Sequence, residues 1–244
     1  MTLVLFNNLT EKDKARAIEN LICESTPRQD FFLLVVLSIL MATFGLLIDS
    51  ASVIIGSMLI APILYPILSL SLGVVIADTK LIARSFYTIL KSLTFGIAAS
   101  AIVTVFFASN FQENSEILAR TQPSLIYAAI AIIAGFAASF ALIKPHLSET
   151  LPGIAISVAL MPPLAVTGIG IARFDWYIIS NSFLLFLINA AGIIFASMIV
   201  FSLMHLYIKR QVASEAIKKE LAAVKKELEK AKKEQEKNNK VYEK

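Results

Sequence analysis

The chain has 244 residues, of which 57% are hydrophobic and only 16% charged, with a formal net charge of +4. That apolar share exceeds the usual share of a soluble domain, and the apolar residues are gathered in long runs, so a water-soluble globular fold is excluded and a polytopic membrane protein is implied. Cys23 is the single cysteine, which excludes an internal disulfide.

Residues 10–23 predict a short amphipathic helix. Thr10 and Asp13 have the spacing of a capping box, and Ala15, Ile18, Leu21 and Ile22 share one face. Such a helix lies on the membrane surface or packs on the ends of a bundle. The first span is expected over 31–48. No cleavable leader is expected before it, because residues 3–6 are too short a run for one and the span itself serves as the signal. Asp49, Ser50 and Ser52 then form a polar turn, with Asp49 or Ser50 as cap of the next helix.

Residues 53–76 are uncharged and long enough to cross a bilayer. Yet Pro62 and Pro66 sit near the middle, between Gly56 and Gly73. Each proline removes a backbone donor and clashes with the preceding turn. In hydrocarbon the freed carbonyls meet no water, so the break must face protein or a wet cavity. Residues 77–91 follow as an interfacial helix that runs into a third span over about 92–109. The alternative is a re-entrant hairpin at 53–76, which would put Lys80, Arg84 and Lys91 on the opposite side.

A polar loop carrying Glu113, Glu116 and Arg120 leads to a fourth span at 125–143, alanine-rich and carrying Gly135, hence able to approach neighbours closely. Residues 151–171 form a second broken stretch around Pro162 and Pro163. Trp176 and Tyr177 suit an aromatic belt. The sixth span is expected from about 178 to 208, emerging as a rigid rod. Lysine and arginine cluster on the side that holds both ends of this six-span path, so both termini are expected to be cytoplasmic, in the plasma membrane.

The two halves, about 30–110 and 124–208, can be laid over each other. Asp49 and Ser50 face Glu149 and Thr150, Ser57 faces Ser157, Pro62 faces Pro162, Gly73 faces Gly170, Asp78 faces Asp175, and Gly96 faces Gly192. With three spans per half, the second half enters from the opposite side, which predicts an inverted repeat. The domains are then a helix within 1–29, the membrane domain over 30–208 and a basic tail over 209–244. In the tail Ile217, Leu221, Val224, Leu228 and Ala231 alternate by four and three residues, the spacing of a coiled-coil seam and of a homo-oligomer, or of one solvated helix without a partner.

No catalytic constellation, phosphate loop or clustered metal ligands are visible, so neither an enzyme nor a cofactor or metal is expected, and no nucleic-acid partner. The middles of the spans lack Asp and Glu, which speaks against a carboxylate proton relay. What remains is backbone and hydroxyl chemistry at the two breaks. The candidate site comprises Gly56, Ser57, Met58, Ala61, Pro62 and Pro66 in the first half. In the second it comprises Ser157, Met161, Pro162, Pro163, Thr167 and Asn189. The expected function is passage of a small ion or solute, channel-like or by a passive carrier, with the bilayer as the other partner. The alternative is a non-transporting scaffold or sensor held together by its tail.

The run around Gly56, Met58, Ala61, Pro62 and Pro66, an I-G-x-M-L-I-A-P-x-x-x-P-type core, resembles the prokaryotic membrane family of domain of unknown function 389. The second-half run A-L-M-P-P-L-A-V-T-G-I-G is similar to that family too. The likeness covers roughly residues 30–207 and implies a helical membrane domain without assigning an activity. Many relatives have a longer soluble region before the membrane domain.

Overall fold

The computed structural model describes residues 10–108, 113–144, 147, 160–206 and 210–242. Every regular element among them is helical. In chain order these are α1 (Glu11–Glu24), α2 (Gln29–Leu47), α3 (Ala51–Ile60), α4 (Leu64–Val75) and α5 (Thr79–Phe107). Then come α6 (Ser115–Leu118), α7 (Leu125–Ile143), α8 (Met161–Arg173), α9 (Trp176–Leu203) and α10 (Arg210–Tyr242). By length and apolarity α2, α5, α7 and α9 can each cross a membrane, and α3 with α4 adds a fifth crossing if that pair is one broken span. The predicted second broken stretch is described only from residue 160, and its first half, with Glu149, Thr150 and Ser157, lies outside the described residues.

Three helix corners are built alike, and sequence explains why. In each, a glycine lies in the last turn of one helix, the fourth residue after it takes a left-handed φ, and the fifth is the N-cap of the next helix. The left-handed residues are Asp49, Ala77 and Phe174, at φ of 54°, 52° and 57°. The N–H groups of Ser50, Asp78 and Asp175 donate to the carbonyls of Gly45, Gly73 and Gly170 at 2.8, 3.0 and 3.0 Å, which closes a Schellman motif. The glycines are required by close approach. A Cβ on Gly45, Gly73 or Gly170 would lie 3.0, 3.1 or 3.0 Å from the main-chain nitrogen of Ile54, Ile82 or Ile179, nine residues on in each case. Asp78 caps α5 by accepting from the N–H groups of Lys80 and Leu81, and Asp175 caps α9 by accepting from Ile178. Ser50 precedes α3 without a side-chain cap. Asp49 instead receives the Glu116 N–H at 3.2 Å and the Ser115 hydroxyl, and so ties α6 to the first corner.

Packing links the halves reciprocally. The half-helix α4 lies on α5 of its own half and on α9 of the other, while α8 lies on α9 and on α5. In addition α2 packs on α3, α5 and α8, and α7 packs along α9. Small residues set the close crossings: Gly135 of α7 meets the backbone of Ile193, Gly192 of α9 meets Ala131, and Gly96 of α5 meets the Ile39 side chain of α2. Gly96 and Gly192 thus play matching parts, each at the crossing with the first long helix of its own half.

The N-terminal helix follows its sequence pattern. Thr10 and Asp13 form the capping box, and Ile18, Leu21 and Ile22 are buried as expected, against α4, α7 and α10, but Ala17 completes the buried face and Ala15 is only half-buried. The sixth span differs from the expectation of a rod to residue 208. It ends at Leu203, capped at Met204, and His205 takes a left-handed φ of 57°. The tail therefore does not continue α9. As α10 it packs on α1, with Ala213, Ala216 and Ile217 buried, while Leu221 is 55% exposed. The first apolar position of the predicted seam is thus occupied within the chain itself. Only the backbone is described at Leu228 and Ala231.

Candidate functional site

The first break falls where the prolines predict it. Helix α3 stops at Ile60 and α4 starts at Leu64, at 51° to it, with Ala61, Pro62 and Ile63 between. The hydrogen-bond pattern gives the cause. A carbonyl in a helix is answered by the N–H four residues on. For Met58 that position is Pro62, which has none. The preceding carbonyl, of Ser57, is taken by the Ser38 hydroxyl of α2 at 2.7 Å. Pro62 supplies its own carbonyl to the Tyr65 N–H at 3.2 Å, which starts the new helix. Pro66 sits buried in the first turn of α4, where a missing N–H leaves no ladder bond unmade.

Around the break, Ser57 is fully buried and donates to the Ile54 carbonyl at 2.6 Å. Gly56 faces the Met41 side chain and Met58 is buried. Ala61 and Pro62 are half-buried, and Leu59 and Ile60 are exposed. The carbonyl end of α3 therefore lies at the edge of the helix packing, not in its centre.

The second stretch meets the first, since α8 touches α3 as well as α2, α5 and α9. Met161, Pro162 and Pro163 are buried at its start, and the burial continues without interruption to Gly170. Thr167 donates to the Pro163 carbonyl at 2.8 Å, the usual back-bond of a buried hydroxyl, and shares a hydrogen bond with Ser182 of α9 at 2.9 Å. Asn189 is buried on α9. Met161, Pro162, Pro163 and Thr167 are thus gathered with α9, while Gly56, Ser57 and Met58 belong to the α2–α3 packing.

The two long helices α5 and α9 carry a further polar feature, a row of buried hydroxyls. The buried residues of α5 are Leu81, Ser85, Thr88, Ser92, Gly96, Ser100 and Thr104. They recur every three or four residues, and four of the seven carry a hydroxyl inside a membrane span beyond Ser85. The 97-residue offset that separates Asp78 from Asp175 maps them onto Ile178, Ser182, Leu185, Asn189, Ile193, Ser197 and Phe201, and every one of these is buried in α9. Polar meets polar at Ser85 and Ser182, Ser92 and Asn189, and Ser100 and Ser197. Between helices, Ser100 donates to the Ala165 carbonyl of α8 at 2.7 Å and Thr43 of α2 bonds Ser100 at 2.9 Å. Ser139 of α7 bonds Ser197 at 2.7 Å. The Ser69 hydroxyl, on α4, is buried and has no partner among the described residues, a donor that in hydrocarbon calls for one.

On the face that carries α1 and α10, Arg28 pairs with Glu220 at 2.7 Å and so fastens the tail. Burial opposes the charge on Arg28, but Glu220, Cys23 and Glu227 together outweigh it and hold its pKa above the ordinary value. Cys23 is also pushed up, first by burial and then by Glu220.

Broken and unbroken apolar helices, joined by tight capped corners and lined inside with hydroxyls, define a multi-span helical membrane protein. The chain belongs to the family described as Domain of unknown function (DUF389), whose model matches residues 58–195, from the first break to the middle of α9. It is 34% identical over 170 residues to the uncharacterized protein MJ0678 of Methanocaldococcus jannaschii. That alignment takes in 70% of this chain and 52% of the relative, so the chain spans about half the length of the protein it matches. No solved structure matches.

Proposed function

We propose that the protein passes a small ion or solute across the plasma membrane, as a channel or passive carrier, along a path beside the two proline-broken stretches. The observation that carries this reading is the Met58 carbonyl, left without a helical donor by Pro62 at a 51° break between two membrane helices. Exposed main-chain acceptors at membrane depth are tolerated only against protein or a polar path. The prolines also bias the chemistry. Pro162 and Pro163 delete amides from the start of α8, and Pro66 deletes one from α4. The breaks therefore offer more acceptors than donors, which suits a cation or a solute rich in N–H and O–H groups.

The architecture that supports this is six spans in two inverted three-span repeats, with both termini in the cytoplasm. The matched corners at Gly73–Asp78 and Gly170–Asp175, the shared register of buried positions in α5 and α9, and the exchange of α4 and α8 between halves all favour it. A second reading, a non-transporting scaffold or sensor, draws on the tail, which is docked on α1 and anchored by Arg28 and Glu220. Purified protein in liposomes decides between them. Flux of monovalent cations or small hydroxylated solutes above the rate of empty vesicles supports transport. Protein-loaded vesicles as tight as empty ones across a broad panel favour the scaffold.

A further inference from the structure

We propose that the cavity lined by Arg28 and Lys91, on the face that carries α1 and α10, binds the phosphate of a membrane phospholipid. Arg84 lies outside the lining as a further positive charge near Arg28. The inference starts from donors without acceptors. Arg84 gives one N–H to the Thr26 hydroxyl, but its Nε and Nη1 are buried and unpartnered, and so is Nε of Arg28. Leaving donors of a charged group unmade is costly, so their persistence points to an absent acceptor. Lys91 has no ion pair among the described residues. Its ammonium lies 4.4 Å from the centroid of the Phe32 ring and 5.6 Å from that of Phe95. Arg84 and Lys91 are seven residues apart on α5, hence on one stripe of that helix, and Arg28 faces it from the α1–α2 corner.

Depth fits a headgroup. Helix α5 has 29 residues, about 43 Å at 1.5 Å per residue. Hydrocarbon takes up about 30 Å, or roughly 20 residues. Counted back from Phe107, that places the boundary near Tyr87, an exposed aromatic at the level expected for an interfacial belt. Arg84 then lies among headgroups, and Lys91 reaches up to them.

The cavity beside them measures about 390 Å³ and is lined by Arg28, Asp30, Lys91 and Glu227, with Pro27, Phe32 and Val224 as its apolar wall. Those walls select the phosphate. A phosphodiester carries one negative charge, whereas inorganic phosphate near neutrality is in large part the dianion. Asp30 and Glu227 repel the second charge, and the apolar wall receives the start of a glycerol ester. The diester of a lipid therefore fits better than a free anion.

The test uses full-length, delipidated protein in detergent, titrated with short-chain phosphatidylglycerol, phosphatidylethanolamine or inorganic phosphate, with thermal unfolding as readout. The expected result is a saturable rise in melting temperature with either lipid and none with millimolar inorganic phosphate. Lys91→Gln should weaken the apparent affinity ten- to a hundredfold, the range of a lost charged hydrogen bond, and Arg84→Gln, which removes a charge outside the lining, severalfold. Lys91 is partly exposed, so its variant keeps the test valid if Arg84→Gln does not fold. Lipid stabilisation that both variants retain, its absence in the parent protein, or an equal response to inorganic phosphate would overturn the proposal.

Discussion

Replacing Gly168 with alanine should destabilise the contact that joins the two halves. A Cβ there would meet Ser100 Cβ at 2.5 Å, Ser100 Oγ at 2.7 Å and the Ile97 carbonyl at 2.8 Å. Ordinary contact begins near 3.4 Å, so α5 and α8 must part by about 0.6–0.9 Å, and the atoms in the way are backbone or one bond from it. Overpacking of this kind costs about 1–3 kcal/mol. The displaced Ser100 hydroxyl also leaves the Ala165 carbonyl, at about 1 kcal/mol. Against these, alanine gains about 1 kcal/mol over glycine in a helix. The net loss is about 1–3 kcal/mol. Gly56→Ala is the paired control, since its Cβ would meet only the mobile end of Met41 at 3.1 Å. Thermal unfolding in detergent by circular dichroism should show Gly168→Ala melting several degrees below both the parent and Gly56→Ala. Equal melting of the two variants would refute the close approach of α5 and α8.

Pro62→Ala restores a donor to the Met58 carbonyl and should reduce the flux of a transporting protein at least severalfold; unchanged flux removes this break from the path. Cys23 should alkylate more slowly at pH 8 than an exposed thiol, because its raised pKa leaves less thiolate at any given pH. A chain truncated after Lys209 loses both Glu220 and the cover of α10, so its Cys23 should react several times faster in an iodoacetamide time course. An unchanged rate would mean that α10 does not shield the thiol. The same truncation should loosen the assembly in size-exclusion chromatography if the distal tail joins copies, and an unaltered oligomer would place the contact in the membrane domain.

How much was legible depends on whether the sequence left one physical option or two. Pro62 leaves one, because Met58 cannot find a donor four residues on, and the helix breaks there. The Asp78 and Asp175 caps were equally readable, each a carboxylate at the head of an apolar run. The alignment of the halves includes Gly73 and Gly170, and the turn at Asp49 and Ser50 is legible too, but the part of Gly45 in that turn is not, because it lies inside an apolar run. The turn at His205 carries neither glycine nor proline, and apolar residues continue past it, so nothing in the sequence ends α9 there. The tail's spacing is compatible with a partner in another chain or in the same one. Only the structure shows Ile217 buried against the protein's own α1. The hydroxyl seam of α5 was present as spacing, with Ser85, Thr88, Ser92, Ser100 and Thr104 three, four or eight residues apart. Reading the first turns as an interfacial helix divided the seam and hid it.

Cysteine accessibility tests most directly whether the first break borders an aqueous route. Cys23→Ser yields a cysteine-free chain, because Cys23 is the single cysteine. Into that background goes Ala61→Cys, at the half-buried first break. In sealed vesicles, a charged, membrane-impermeant thiosulfonate should modify this position, and the transported ion or solute should slow the reaction. Modification only by lipid-soluble maleimides would mean that the break faces lipid or apolar packing and would contradict the account.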